Sequence, residues 1–457
     1  MSRATGLSAA NPGDPGIRDI GNRCGSKDFR DRMKKNIFVV GYDDFNRTKL
    51  EPLAEPYGYT FHTLLHAEEA EAQAHLPFDD LFALAKERLD AFKGPIDAII
   101  GFWDFPTMAL VAALCEEYGL TGPPLQSVVN CEHKYWSRLS QRDVIPANVP
   151  GFCAVNPFDE NALSHLTIDF PFWLKPVKSF SSYLGFHVRD EAEFHAALAQ
   201  IREGIERISV PFNQLLRHVK LPPEVQGIDG NWCIAEEIIG GRQCTLEGYV
   251  YRGKVEVYGV VDSIRFPRMS SFQRYQYPSR LPRAVQRRMM ELSKRVLKAV
   301  GFDDSAFNIE FFYEPKRNKV WLLEINTRMS QSHGDLFEKV DGTPHHRLAV
   351  ELALGNRPEW QHGAGPFGCA AKLYMRRFRD GRVKRAPTAE EIAAVQERFP
   401  GTLVELTVRE GMRLSDQSSQ DSYSYELANI FMGARNQPEL LANYREVRRG
   451  LPFRFTS

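Results

Sequence analysis

Phe307-Asn308-Ile309-Glu310-Phe311-Phe312-Tyr313, Glu314-Pro315-Lys316-Arg317-Asn318-Lys319 and Val320-Trp321-Leu322-Leu323-Glu324-Ile325-Asn326 follow one another without a break. The outer runs are rich in aromatic and branched residues and read as strands. The polar middle, with Pro315 and Asn318, reads as a hairpin turn. A hairpin symmetric about Arg317 sets Glu310 opposite Glu324, roughly 4.5–5.5 Å apart at Cβ. Two carboxylates that close, in apolar strands, repel and raise each other's pKa. A divalent cation between them removes the conflict. Asn326, two residues past Glu324, points to the same face. Two carboxylates and an amide oxygen suit Mg²⁺, which usually shares its shell with substrate phosphates. Apolar residues on both faces of both strands argue for a buried sheet. The alternative is an exposed hairpin carrying two solvated acids.

The 457 residues are 43% hydrophobic and 25% charged, ordinary values for a globular protein of about two to four domains. The net charge is zero, which gives no sign of a nucleic-acid partner. Seven cysteines with no CxxC pair fit reduced thiols in the cytoplasm better than disulfides or a structural zinc. No apolar run has the length of a membrane span. Residues 1–33 are rich in Gly, Pro, Ser, Asn and charge, and read as a disordered tail, with Met33 as an alternative initiator.

Strand–helix alternation follows. Ile37–Gly41 reads as a strand, Phe78–Phe92 as a helix, Ile96–Gly101 as a strand and Thr107–Tyr118 as a helix ended by Gly119. No GxGxxG follows the first strand. Further on, Cys131–Arg142 reads as one charged amphipathic helix, Phe170–Lys175 as a strand and Glu191–Glu206 as a helix. Cys233–Ile239, Gln243–Tyr251 and Lys254–Asp262 read as strands. Arg283–Val300 reads as a helix capped by Gly301, and His345–Leu354 as a helix ended by Gly355. The last segment holds strands near Cys369–Tyr374 and Leu403–Val408.

This order of elements, with Glu310 ending one strand and Glu324-Ile325-Asn326-Thr327-Arg328 ending the next, resembles the ATP-grasp superfamily. It looks most like the carboxylate–amine ligase branch related to D-alanine–D-alanine ligase, L-amino-acid ligases and biotin carboxylase. The resemblance implies a mixed α/β and α+β fold. A Rossmann-like pre-ATP-grasp domain would occupy 34–130, the small lobe and linker 131–240, the large lobe with the metal site 241–357, and a C-terminal α+β cap 358–457.

The same resemblance implies site residues. Glu310, Glu324 and Asn326 would hold Mg²⁺, with Mn²⁺ able to substitute, on the phosphates of ATP. Arg328 would stabilise the transferring phosphoryl group; its alternative is a structural ion pair with a nearby carboxylate. Lys175, ending the run Phe172-Trp173-Leu174-Lys175, and Lys134 would contact phosphates; a surface lysine is the bland alternative for each. Lys178-Ser179-Phe180-Ser181-Ser182-Tyr183-Leu184-Gly185 stands where the family has a glycine-rich loop, with Ser181 and Ser182 in place of glycines. Backbone groups around Glu237 and Ile239 would read the adenine edge. Glu236 would contact the adenine amino group directly or through neighbours, and Gln243 would take the place of an acid that holds the ribose. Glu247 stands near metal or substrate, or is a solvated strand acid. Arg265, Arg268, Arg280, His333, His345 and His346 each read as solvated surface residues, yet as a group they suit a carboxylate substrate.

The expected activity is an ATP-dependent ligase that makes an acylphosphate and joins it to an amine, releasing ADP and phosphate. Its partners would be small carboxylates and amines, with a homodimer as one assembly. A bicarbonate-phosphorylating carboxylase relative and a non-catalytic nucleotide-binding protein are the alternatives. No Met-Lys-Met biotinylation motif is present.

Overall fold

The computed structural model describes residues 34–71, 77–179, 183–267, 269, 271–417 and 424–456. The tail assigned to 1–33 lies outside them, as do Ser181, Ser182 and Arg268.

Chain order begins with β1 (Lys35–Tyr42), α1 (Asp44–Tyr57), β2 (Tyr59–His66), α2 (Ala67–Glu71), α3 (Phe78–Asp90), β3 (Ala98–Gly101), α4 (Thr107–Tyr118) and α5 (Leu125–Glu132). β2, β1 and β3 form a parallel sheet with β1 central. Ile37, Val39 and Val40 of β1 are fully buried, as a strand covered on both faces requires.

Next come α6 (Lys134–Val144), β4 (Phe152–Val155), β5 (Phe172–Pro176), β6 (Phe186–Val188), α7 (Glu191–Gly204), α8 (Glu206–Leu216) and β7 (Cys233–Glu237). The four strands make an antiparallel sheet in the order β4-β7-β5-β6. The helix expected over Cys131–Arg142 is broken at His133, whose φ of −85° and ψ of 95° are extended. His133 caps α6, accepting at Nδ1 from the Trp136 N–H, while its Nε2 lies 2.8 Å from the Ile228 carbonyl oxygen. That break lets Lys134 start a new helix.

The remainder is β8 (Arg242–Tyr251), β9 (Lys254–Arg265), β10 (Phe272–Tyr277), α9 (Arg283–Val300), β11 (Ser305–Glu314), β12 (Lys319–Asn326), α10 (Gln331–Asp341) and α11 (His345–Ala353). It closes with β13 (Cys369–Arg377), β14 (Arg382–Arg385), α12 (Ala389–Arg398), β15 (Leu403–Leu406), β16 (Tyr425–Ala434), α13 (Gln437–Gly450) and β17 (Arg454–Thr456). Eight strands share one sheet in the order β12-β11-β8-β9-β10-β13-β16-β15. Strands from 358–457 therefore extend the sheet that carries the acidic hairpin.

The two faces of β11 divide the labour. Phe307, Ile309 and Phe311 are fully buried in one apolar cluster with Met289, Val296 and Leu297 of α9. The alternate residues Asn308 and Glu310 consequently face the other way. α9 places its apolar residues at helical spacing and ends at Gly301, φ 69°, whose N–H bonds the Leu297 and Lys298 carbonyls. Between β7 and β8, Gly241 has φ 126°, and a Cβ there would stand 2.3 Å from the Tyr313 carbonyl oxygen. Only glycine lets the linker pass so close to the hairpin.

Candidate active site

Glu310 pairs with Glu324 across β11 and β12, and Asn308 with Asn326. Nearer the turn, Glu314 pairs with Lys319 and Phe311 with Leu322. The turn therefore centres between Lys316 and Arg317, not on Arg317. Leu323 is an extra residue that shifts the register by one and brings the two acids level. Arg138 of α6 fills the bulge: its two terminal nitrogens donate to the Leu322 and Leu323 carbonyls at 3.0 and 2.8 Å. Its Nε donates to Glu236 Oε1 at 2.5 Å.

The acids sit in opposite electrostatic settings. Burial, and then Glu324 opposite, push Glu310 up to about 7. Gln243 Nε2 donates to Glu310 at 2.8 Å and partly offsets this. Burial acts upward on Glu324 too, but Lys134 and Lys175 outweigh it and hold the acid below the ordinary carboxylate range. Lys134 Nζ lies 3.0 Å from Glu324 Oε1 and donates to the Ser179 carbonyl at 2.8 Å. Lys175 Nζ reaches Glu236 Oε2 at 2.6 Å. Glu236 is buried, yet Arg138 and Lys175 outweigh burial and bring it down to about 2.

A chain of amides orients Asn326. Asn326 Nδ2 donates to Asn308 Oδ1 at 2.8 Å, and Asn308 Nδ2 donates to the Arg328 carbonyl at 3.2 Å. This turns the Asn326 oxygen away from Asn308. The donors Glu310, Glu324 and Asn326 are all oxygens, which fits Mg²⁺ or Mn²⁺. The half-neutral Glu310 beside an ionised Glu324 is a pair that a cation would complete. Among the described residues no cluster of three His, Cys, Asp or Glu side chains stands ready to hold a metal. A cation here needs further oxygens, and phosphates would supply them.

Other expected residues stand differently. Arg328 makes a bidentate pair with Asp104, so an ion pair engages it in this state. Gln243 is buried, and both ends of its amide are engaged: Arg265 donates to its oxygen at 3.0 and 2.6 Å while its nitrogen serves Glu310. Its position bridges two charged groups on the sheet face and does not leave it open for a ribose. The Glu236 carboxylate is likewise committed to two cations. Glu237 is exposed at the end of β7, its N–H donating to the Gly151 carbonyl and its carboxylate accepting from the Gly151 N–H at 2.8 Å. Ile239 is half-buried in the linker.

None of the histidines reads as the surface residue expected from sequence. His333, His345 and His346 are 3%, 1% and 2% exposed, and His346 Nε2 meets Asn46 Oδ1 at 2.9 Å. α10 and α11 bury them against the sheet and the N-terminal strands. Glu247 is fully buried, not a solvated strand acid. Arg280 reaches Gln437 at the surface.

Sequence reasoning missed Asp104, Arg138 and Asn308, and the pair of Glu132 with Lys178. Arg138 lies one turn beyond Lys134 on α6, which was a usable signal. Asp104 comes from the turn between β3 and α4, and nothing local marks it.

Residues 168–334 match a family model described as ATP-grasp domain. The carbamoyl phosphate synthase large chain of Kocuria rhizophila is 37% identical over 68 residues, which are 15% of this chain and 6% of that protein. The crystal structure of L-amino acid ligase from Bacillus licheniformis superposes with a TM-score of 0.68 at 16% identity, covering 93% of this chain and all of that one. The biotin carboxylase domain of the 2-oxoglutarate carboxylase of Hydrogenobacter thermophilus, solved with MgADP, ADP and bicarbonate, gives 0.62 at 15% identity over 93% of this chain and 92% of that one. Residues 168–334 are thus an ATP-grasp domain, and the fold around them is the ATP-grasp fold.

Proposed function

We propose that the protein is an ATP-dependent ligase that activates a carboxylate as an acylphosphate and joins it to an amine. The observation that carries this reading is the level pair Glu310 and Glu324, with Lys134 and Lys175 of the other lobe beside Glu324. Phosphoryl transfer asks for positioning and charge neutralisation more than covalent chemistry, and these residues supply both.

Lys134 and Lys175 would meet the phosphates of ATP, trading contacts they now make with Glu324 and Glu236. Arg328 would face the acceptor side, where its planar fork suits a carboxylate or a transferring phosphoryl group. Bound Mg²⁺ on Glu310, Glu324 and Asn326 would offset phosphate charge. A carboxylate oxygen then attacks the γ-phosphorus, the bond to ADP breaks, and the amine later displaces phosphate from the acyl carbon. Holding the reactants together supplies much of the acceleration, about 7 kcal/mol or more in well-aligned cases.

Phosphate release, measured with Mg·ATP against a panel of amino acids and small carboxylic acids, tests the proposal. Product mass identifies the amide. ADP and phosphate with an amide product support it. AMP and pyrophosphate, or bicarbonate-dependent turnover without an amide, would replace it.

A further inference from the structure

One face of the large sheet continues past the acidic hairpin into the C-terminal strands. Tyr275 of β10 pairs with Lys372 of β13, Lys372 with Phe431 of β16, and Phe431 with Leu403 of β15. Two residues along, Tyr374 pairs with Asn429 and Asn429 with Glu405. Directly opposed side chains share a face, so Lys372, Tyr374, Asn429, Phe431 and Glu405 stand together.

The N-terminal region meets this face. Phe45, in the first turn of α1, stacks on Phe431 with ring centres 6.5 Å apart. Gln331 of α10 donates to the Phe102 carbonyl, just past β3, at 3.1 Å. The C-terminal strands therefore look onto the carboxyl ends of β1 and β3. The chain leaves β1 for β2 on one side and returns as β3 on the other. Open α/β sheets take their ligands at such a switch point. Asp104, which holds Arg328, follows the same end of β3.

Three polar groups on this wall lack partners. Lys372 Nζ donates to Ser332 Oγ at 3.1 Å and lies 5.2 Å from the ring centres of Tyr374 and Phe431. Among the described residues neither Lys372 nor Glu405 meets an opposite charge at ion-pair distance. Both keep some exposure, so a solute can reach them. Asn429 is 9% exposed, and its Oδ1 is buried with no hydrogen-bond partner among the described residues. An orphan amide alone says little. This one lies between an unpaired cation and an unpaired anion, on a wall that faces a switch point.

We infer that this wall binds an α-amino acid: Lys372 donates to its carboxylate, and Asn429 Oδ1 and Glu405 accept from its ammonium. The inference rests on the ligase reading above and narrows its substrate class. The spacing agrees. Lys372 and Asn429 are diagonal neighbours, about 7–8 Å apart, which leaves room for two hydrogen bonds of about 3 Å each with one small head group between. A simple carboxylic acid would leave Asn429 and Glu405 unanswered, and a simple amine would leave Lys372 so. Burial lowers Lys372, against Glu426 and Glu405, and raises Glu405, against Lys372. A ligand that carries both charges relieves both.

Binding can be read without turnover. The full chain, with Mg²⁺ and a non-hydrolysable ATP analogue, is mixed with the protein amino acids other than proline, with their 2-hydroxy acids, which lack the ammonium, and with their amides, which lack the carboxylate. Saturation-transfer NMR identifies what binds. At least one amino acid is expected to bind about tenfold or more tightly than either of its analogues. Lys372→Met and Asn429→Leu are each expected to weaken that amino acid about ten- to a hundredfold, the loss of a charged hydrogen bond, while calorimetry finds the nucleotide analogue bound as in wild type. Glu405→Gln is expected to erase most of the preference over the hydroxy acid. No amino acid bound, analogues bound equally well, or unchanged affinity in either Lys372→Met or Asn429→Leu overturns the site. Amide made only from acids that are not amino acids also overturns it, and leaves the ligase reading. An amino acid bound as expected, with no amide from any pair of substrates, overturns the ligase reading and leaves the site.

Discussion

Arg328 is fastened to Asp104 by two hydrogen bonds, 2.8 Å from Nε and 2.6 Å from a terminal nitrogen, so the N-terminal α/β region grips the chain just past the acidic strand. The contact places Arg328 before any substrate arrives. Asp104→Asn keeps the shape and removes the charge. Turnover is expected to drop about ten- to a hundredfold, because a misplaced positioning group costs that much, while Mg·ATP affinity holds. Steady-state kinetics beside calorimetry of nucleotide binding would show it. Unchanged turnover would make the contact purely structural.

Glu324→Ala removes one acid and leaves Lys134 without its carboxylate partner, with only the Ser179 carbonyl beside it. Nucleotide-dependent turnover should fall at least about 10²-fold, the scale for losing one electrostatic stabiliser. The circular dichroism spectrum should be unchanged, because Glu324 keeps 38% of its side chain exposed. Near-normal turnover would end the assignment of the cation to this hairpin.

Glu310 sets a pH signature. In the fold it titrates at about 7 against an ordinary 4.5. Between those values the folded chain keeps a proton the unfolded chain has released. Its contribution to stability therefore falls as pH rises through that window, and stays low above it. Glu310→Gln lacks the effect. In EDTA its thermal stability should gain on wild type between pH 5 and pH 8 by about 1–2 kcal/mol, allowing for a half-buried group. Adding Mg²⁺ should narrow the gap. A gap that is flat with pH would contradict the environment described for Glu310.

Arg138 carries the bulge carbonyls and the buried Glu236. Arg138→Met should destabilise the fold by about 3–5 kcal/mol, as removal of one partner from a buried ion pair does. Denaturant titration measures this. Arg138→Met with Glu236→Met should recover much of the loss. If the single variant is as stable as wild type, the bulge is held by something other than this guanidinium.

Much of this was legible in the chain. α4 and α9 lie where apolar spacing and a following glycine put them, and the acids stand opposite one another. That last agreement has a concealed step. Turn symmetry about Arg317 misplaces the hairpin centre, and the bulge at Leu323 makes up the difference. No local pattern announces a bulge whose carbonyls are claimed by an arginine nearly two hundred residues earlier. β10 is hard to read because Phe272-Gln273-Arg274-Tyr275 mixes polar and aromatic residues, and its buried Arg274 and Gln276 are satisfied by each other and by Gln437 of a distant helix. The histidines were misread for a related reason: burial of His333 and His345 depends on α10 and α11 docking on the sheet, and sequence spacing does not report docking.

The ladder that runs from β12 to β15 also bears on how the protein can be cut or grafted. A chain ended near residue 358 would strip β13, β15 and β16 away and leave β10 with an open row of amides and carbonyls. Such a rim invites other chains to add on. Exchange of the C-terminal segment with a relative's would have to preserve the strand-to-strand seam at Tyr275 and Lys372, or the product would clump before it could be assayed.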